Sequence, residues 1–235
     1  MVTAARILGC PLYVVHLSTR EGLELITAAK ARGERVFTET CPHYLLLTDA
    51  ETRRQPAQVK IAPPLRTEAD CAAMWAGLRQ GVIECVGSDH APFALADKER
   101  GFAEGNVFKV TFGMPGVETM LPLMYSEGVR KGRVSLPRLA EVMSEGPARR
   151  FGLYPQKGTI KVGSDADLVI FDPSVEWTIR GEALHSNATW TAYEGWRVVG
   201  KPEQTLLRGQ LLLDGERLAA GPGQGQYIAR RPFAD

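Results

Sequence analysis

No charge of one sign dominates this chain of 235 residues: 28 lysines and arginines face 27 aspartates and glutamates, a formal net charge of +1. Without a basic block or stripe there is nothing to follow a phosphate backbone, so nucleic acid is excluded as an expected partner. A run of about eighteen apolar residues, the least a membrane-spanning helix needs, does not occur. The opening segment, Met1 to Cys10, is too short an apolar stretch to serve as a secretory leader. These absences make a soluble, cytoplasmic protein the expectation. Cysteine is sparse, and Cys10, Cys41, Cys71 and Cys85 lie far apart with no C-x-x-C pair. That spacing excludes a disulfide framework and a structural zinc knuckle, and leaves small buried apolar residues as their expected role. Histidine is as scarce, with only His16, His43, His90 and His185.

What is present is organised around Pro11-Leu-Tyr-Val-Val-His16-Leu-Ser-Thr19. Its apolar run has no polar alternation, as in a strand buried on both faces, and it ends in a histidine and two hydroxyls. In parallel α/β folds the C-terminal ends of strands are where side chains converge on ligands. Ser18 or Thr19 can cap a following helix with Leu23, Ile26 and Ala29 on one face and Gly33 as its stop. A second strand, Arg35 to His43, runs into a proline-containing turn and again delivers a histidine. Thr67-Glu-Ala-Asp70 predicts a capping box for a helix carrying Met74, Trp75 and Leu78. The third strand, Val82 to Asp89, ends in Ser88-Asp89-His90-Ala-Pro92.

Phe93 to Gly113 is expected as a long lid or substrate loop. Helical spacing follows from Met114 to Val129, with a kink at Pro122, and again after a cap at Ser135. From Lys157 onward short β-like runs predict an all-β module: Gly158 to Gly163, Ala166 to Phe171, Val175 to Ile179, Trp196 to Val199, Thr205 to Arg208 and Gln210 to Leu213. The glycine-rich end lacks the strand-to-helix context of a phosphate loop, and a flexible tail docking on a neighbour is expected instead.

His16, His43, Asp89 and His90 thus gather on the ends of three consecutive strands. Zinc takes neutral imidazole nitrogen and carboxylate oxygen, and a catalytic site keeps one position for water. A carboxylate at such a site can take a proton from that water and return it to a leaving amine, which suits Asp89. His16 and Asp89 are the candidate ligands. His43 can equally cap or pack beside Tyr44, and Asp89-His90 can equally be a surface turn.

Five stretches together resemble the cyclic amidohydrolases: Leu12-Tyr-Val-Val-His-Leu-Ser18, Glu39-Thr-Cys-Pro-His-Tyr-Leu45, Ala62-Pro-Pro-Leu-Arg66, Gly87-Ser-Asp-His-Ala-Pro92 and Lys157-Gly-Thr-Ile-Lys-Val-Gly-Ser-Asp-Ala-Asp-Leu-Val-Ile-Phe-Asp172. The likeness is to hydantoinase/dihydropyrimidinase first and allantoinase second. It implies a (β/α)8 barrel with a β-sandwich, two zinc ions and hydrolysis of a C–N bond in a cyclic amide or imide. By motif His16 resembles the sixth-strand ligand and Asp89 the eighth-strand ligand and proton shuttle, with His43 and His90 beside them. Main-chain groups at Ala62 and Phe112 resemble the imide-binding positions, and Phe93 stands where a dihydroorotase has a second histidine.

The His-x-His pair and carboxylated lysine of the family have no counterpart here, so the chain resembles a C-terminal half. Residues 1–155 are expected as the last three barrel strands with their helices, and 156–235 as a β-sandwich segment and tail. Two ligands are too few for a catalytic zinc, which ordinarily takes three from the protein. The chain alone is therefore expected to be inactive, and to pair with a complementary N-terminal segment or form a homo-oligomer through its open strand edges. A non-catalytic scaffold that keeps the fold is the alternative to an enzyme.

Overall fold

The computed structural model describes residues 1–231, so the last four residues of the expected tail lie outside the described residues. Helix α1 (Val2–Leu8) precedes strand β1 (Leu12–Val14), and α2 (Arg20–Ala31) follows it. Thr19 caps α2, its hydroxyl accepting the Gly22 N–H at 3.1 Å, and Leu23, Ile26 and Ala29 are buried as their spacing predicts. Strand β2 (Val36–Thr40) runs parallel to β1 with Leu12 opposite Val36. Strand β3 (Cys85–Val86) pairs with its other side, giving the order β1-β2-β3. The ladder at β3 is shorter than the apolar run suggests, although the Glu84 and Gly87 N–H groups still bond Thr38 and Thr40 carbonyls on either side of it.

After β2 the chain turns directly into α3 (Pro42–Leu46). Proline suits a first helical turn, where its missing N–H has no partner to lose. His43 therefore sits on a helical turn beyond the strand. A short α4 (Glu51–Arg54) leads to α5 (Glu68–Arg79), which starts with the expected capping box: Thr67 Oγ1 accepts the Asp70 N–H, and the Asp70 carboxylate accepts the Thr67 N–H at 3.2 Å.

The stretch from Phe93 to Gly113 is more ordered than a loop, with α6 (Leu95–Ala103) and a 3-10 turn over Val107–Lys109. Its charged sequence hides this, because one inward-facing position of α6 is a lysine. Helix α7 (Val117–Leu123) continues past Pro122 as a π-helical stretch, Met124–Val129; α8 (Leu136–Ala140), capped by Ser135, continues as another, Glu141–Glu145, into α9 (Gly146–Arg150). Each wide turn adjoins a proline, Pro122 or Pro147, that withholds an N–H from the regular ladder.

Beyond residue 155 the strands become antiparallel: β4 (Leu168–Thr178), β5 (Arg197–Leu207), β6 (Gln210–Asp214) and β7 (Arg217–Leu218) form a meander in sequence order. Runs expected as separate strands merge here. Ala166 to Phe171 and Val175 to Ile179 contribute to one strand whose register shifts between Asp172 and Glu176, around Pro173, which cannot donate to a ladder. Gly158 to Gly163 forms turns instead of a strand, leaving Ile160 87% exposed, while Lys157 bridges Asp165 at 2.9 Å and Asp167. The described part of the tail returns to its own chain, the Arg231 N–H donating to Gly152 O at 2.9 Å, where docking on a neighbour is expected.

Two apolar clusters hold these parts. One joins the parallel sheet to its helices through Ile26, Met74, Leu78, Ile83 and Met124. The other packs Tyr44, Leu65, Met114 and Leu123 against Ile179, Trp190, Tyr193 and Val198, across the expected boundary at Tyr154-Pro155. Cys41, Cys71 and Cys85 are buried and Cys10 is exposed, all four as free thiols. Among the described residues no helix is long and apolar enough to cross a membrane.

Asp70 also receives the Arg20 N–H at 2.9 Å, so it joins α2 to α5. Slight burial pushes its carboxyl upward, but hydrogen bonds from the Thr67 hydroxyl and the Arg20 and Thr67 backbone, with the Arg66 charge, hold it below the ordinary value of 3.8. A depressed carboxyl stabilises the fold above its unfolded-state value and loses that contribution as pH falls through the folded-state value. Asp70→Asn is expected to lower stability by about 1 kcal/mol at neutral pH. Parallel urea titrations should show that difference constant above pH 3.8 and shrinking below it.

Candidate active site

Sheet order sets the site. β2 lies between β1 and β3, so His16, two residues past β1, and Asp89, three past β3, leave the same end of the sheet on either side of it. Two strand spacings separate their backbones, about 10 Å in the hydrogen-bonding direction. Both residues have left-handed backbone, His16 at φ 41° and Asp89 at φ 45°. Side chains rarely adopt that region, and holding one there costs on the order of 1–3 kcal/mol unless neighbours over-determine it.

Here they do. The Leu17 N–H donates to Glu39 O at 2.8 Å, and Thr40 Oγ1 donates to Leu17 O at 2.7 Å, so the residue after His16 is held from both sides by β2. The Gly87 N–H in turn donates to Thr40 O at 2.9 Å, two residues before Asp89. One buried threonine thus references both strand ends to the same backbone.

His16 is half-buried and Asp89 exposed. His16 Nδ1 is shut away from solvent without a hydrogen-bond partner. His43 is 3% exposed, its ring 4.2 Å edge-on from Tyr44, with Nε2 also buried and unpartnered. Burial, and then the nearby His16, pull its imidazole down to about 3, so it stays neutral at ordinary pH. His90 is committed to the backbone: its Nδ1 accepts the N–H groups of Gly116 and Val117 at 3.0 and 3.2 Å, which puts the ring proton on Nε2. His185 lies elsewhere, paired with Glu118 at 2.8 Å.

Imidazole nitrogen and carboxylate oxygen are the donor kinds zinc takes, so His16 and Asp89 fit a metal in kind. They do not fit in number. Among the described residues no group of three His, Cys, Asp or Glu side chains is placed to hold an ion.

The two positions expected to meet substrate through their main chain are drawn to this end by separate contacts. Ala62, exposed and joined to Pro63 by a cis peptide bond, is held through Tyr44, whose hydroxyl donates to Pro63 O at 2.6 Å. Phe112 is 51% exposed and precedes Gly113, which is pinned beside the Asp89 turn. At φ 111° a Cβ on Gly113 would lie 2.4 Å from Ala91 Cβ, so only glycine fits, and the Ala91 N–H donates to Met114 O at 3.0 Å. Lys60 bridges the two segments, its Nζ donating to Val107 O and to Val110 O at 2.8 Å while lying 4.0 Å over the Phe112 ring. Lys60 carries no sequence signal of this role, and Glu39, Thr40 and Tyr44 stand in a quoted stretch without any role assigned to them; Glu39 accepts the Tyr13 hydroxyl at 2.8 Å on the sheet beneath.

A family model described as the amidohydrolase family matches residues 14–212. The chain is 41% identical to a D-hydantoinase of Ralstonia pickettii over 234 residues, 97% of this chain and 50% of that protein. It is 40% identical to an L-hydantoinase of Paenarthrobacter aurescens, over 96% of this chain and 49% of that one. The crystal structure of a dihydropyrimidinase from Brevibacillus agri superposes with a TM-score of 0.96 at 37% identity, covering all of this chain and 51% of that one. The chain therefore spans about half the length of the relatives it matches. The second likeness, to allantoinase, is not favoured by these relatives.

Thr40→Val keeps the shape of the side chain but leaves Leu17 O without its buried donor, and is expected to cost about 1–3 kcal/mol. Asp89→Asn, which tolerates left-handed backbone, should change stability by less than about 0.5 kcal/mol, and Asp89→Val should lower it by roughly 1–2 kcal/mol. Chemical denaturation of the three variants checks both statements.

Proposed function

Because this chain belongs to the amidohydrolase family, we propose that it supplies one part of a metal-dependent site hydrolysing a C–N bond of a cyclic amide or imide, of the hydantoin or dihydropyrimidine class. The observation that carries the reading is the placement of His16 and Asp89, an imidazole and a carboxylate held in left-handed backbone at the same end of one parallel sheet. In it the described parallel strands belong to a (β/α)8 barrel over residues 1–155, and the antiparallel meander belongs to a β-sandwich over 156–235.

His16 and Asp89 would hold zinc, two ions being shared with further donors from a complementary N-terminal segment. When bound, the metal supplies a Lewis acid for the ring carbonyl and lowers the pKa of a coordinated water. Asp89 takes a proton from the attacking water and returns it to the leaving ring nitrogen, so the carboxylate is regenerated and the amide becomes a carboxylate and an amine or ureide. His43, neutral and buried behind His16, adds no charge to the site. Main-chain groups at Ala62 and Phe112 orient the planar imide. Recognition through main chain leaves ring substituents to other residues, in keeping with near-equal identity to a D- and an L-hydantoinase.

Support for a complementary segment, or for a homo-oligomer that covers the same surfaces, comes from edges and faces. Among the described residues β1 and β3 each pair on one side only, and Ile7, Leu8 and Val15 are 76%, 76% and 47% exposed. Parallel strands are rarely stable with bare edges.

Metal analysis of the purified chain is expected to find well under one zinc per chain, rising with ring-opening activity when a matching N-terminal segment is added. Stoichiometric zinc and activity in a monodisperse chain by itself would overturn the reading. A metal-replete, folded assembly that opens no cyclic amide would favour the scaffold. In the active assembly Asp89→Asn should lower kcat by at least about a hundredfold with a smaller change in KM, measured by steady-state kinetics on hydantoin and dihydrouracil.

A further inference from the structure

We propose that Lys98 is a positioning residue, whose ammonium fixes the main chain on both sides of Phe112 against the segment that carries Ala62. The proposal deepens the reading above and rests on it, since it concerns the two stretches assigned there to the imide.

Lys98 is fully buried, at 0% exposure, on the inward face of α6 with Gly101. Its Nζ donates to Gly113 O at 2.6 Å, Thr111 O at 2.9 Å and Lys60 O at 3.3 Å. An ammonium has three N–H donors, and here all three go to backbone carbonyls. Two of those carbonyls flank Phe112 and the third lies two residues before Ala62. Lys60 O also accepts the Gly113 N–H at 3.0 Å, so the segments are joined twice.

Among the described residues Lys98 makes no ion pair with a carboxylate. Burying an ammonium without one is unfavourable, and a methionine would fill the same space without that penalty. Burial and the neighbouring Lys60 pull Lys98 down to about 8, which still leaves it charged at neutral pH. What the charge achieves is the orientation of three carbonyls that no apolar side chain can hold. The rest of the segment allows no slack: a Cβ on Gly101 would lie 2.4 Å from Lys109 O, so α6 presses directly on the 3-10 turn that leads to Phe112. On the far side the Trp190 ring lies 5.7 Å from Nζ, and its indole N–H donates to Phe93 O at 2.9 Å, closing the start of the same segment. Phe112 is then a half-exposed residue in a stretch fastened at both ends.

The test compares Lys98→Met and Lys98→Arg with the unsubstituted protein, first by amide hydrogen exchange and then, in the assembly with the N-terminal segment, by kinetics and metal content. Lys98→Met should speed exchange at Gly113 by roughly tenfold or more while leaving α2 and α5 protected. It should raise KM for hydantoin roughly tenfold, change kcat by less than about threefold, and leave bound zinc unchanged. Lys98→Arg, which keeps the charge and donors, should recover part of both effects. Unchanged exchange at Gly113, or a fall in kcat and zinc with KM unaltered, would overturn the proposal. If Lys98→Met does not fold, Lys98→Gln, which retains two N–H donors, takes its place with the same expected direction. An unsubstituted assembly that opens no ring defeats the cyclic-amide reading alone, because exchange at Gly113 still decides whether Lys98 holds this main chain.

Discussion

The hydroxyl and carbonyl of Thr40 are the point to which both candidate ligands are referred. Its hydroxyl secures the residue after His16, and its carbonyl receives the N–H two residues before Asp89. Neighbouring Thr38 repeats the arrangement one pleat earlier, donating to Val14 O at 2.8 Å. Both threonines are buried, where a hydrogen bond once made is hard to replace because water cannot stand in for a lost partner. The ends of short strands, which would otherwise fray, are therefore set by side chains on the central strand. Left-handed backbone at His16 and Asp89 becomes tolerable only because their neighbours are fixed in this way.

A second constraint is layered on this one. The segments around Ala62 and Phe112 are far apart in sequence and neither belongs to a strand. Two lysines and a tyrosine hydroxyl bring them to the sheet end by donating to carbonyls, without a carboxylate intermediary. Carbonyls so engaged turn their peptide planes in a defined direction, and the adjoining N–H and C=O groups inherit it. The main chain at the two segments thus acquires its orientation from side chains anchored elsewhere.

Much of the fold follows from local chemistry that a sequence displays openly. Thr67 and Asp70 announce a helix start, Gly33 and Gly81 announce stops at φ 76° and 82°, and the apolar run before His16 announces a strand. The metal-donor residue types are equally visible, because imidazole and carboxylate at strand ends are uncommon. What is hidden depends on long-range partners. The inward course of Lys98 cannot be inferred from Asp97-Lys98-Glu99-Arg100, which has the composition of a solvated face; only the three-residue recurrence of Leu95, Lys98 and Gly101 hints at it. The joining of Ala166 to Phe171 with Val175 to Ile179 is likewise invisible, since Pro173 suggests a break where β5 supplies enough pairing on either side to carry the strand through a bulge. Gly158 to Gly163 shows the converse, an alternating pattern that remains in turns because its charged flanks close on each other.

The backbone at residues 16 and 89 also bears on how such a chain drifts once its chemistry is no longer selected. Were the proposed metal role lost, nothing would favour histidine or aspartate there, but the left-handed conformation would still be imposed by Leu17, Gly87 and the turn after them. The substitutions a relaxed lineage can accept without unfolding are thus narrow: glycine and asparagine suit that region, whereas valine, isoleucine and threonine are turned away by their branched Cβ. Glycine or asparagine at these two positions in a descendant would mark a candidate ligand lost while its backbone is still in place.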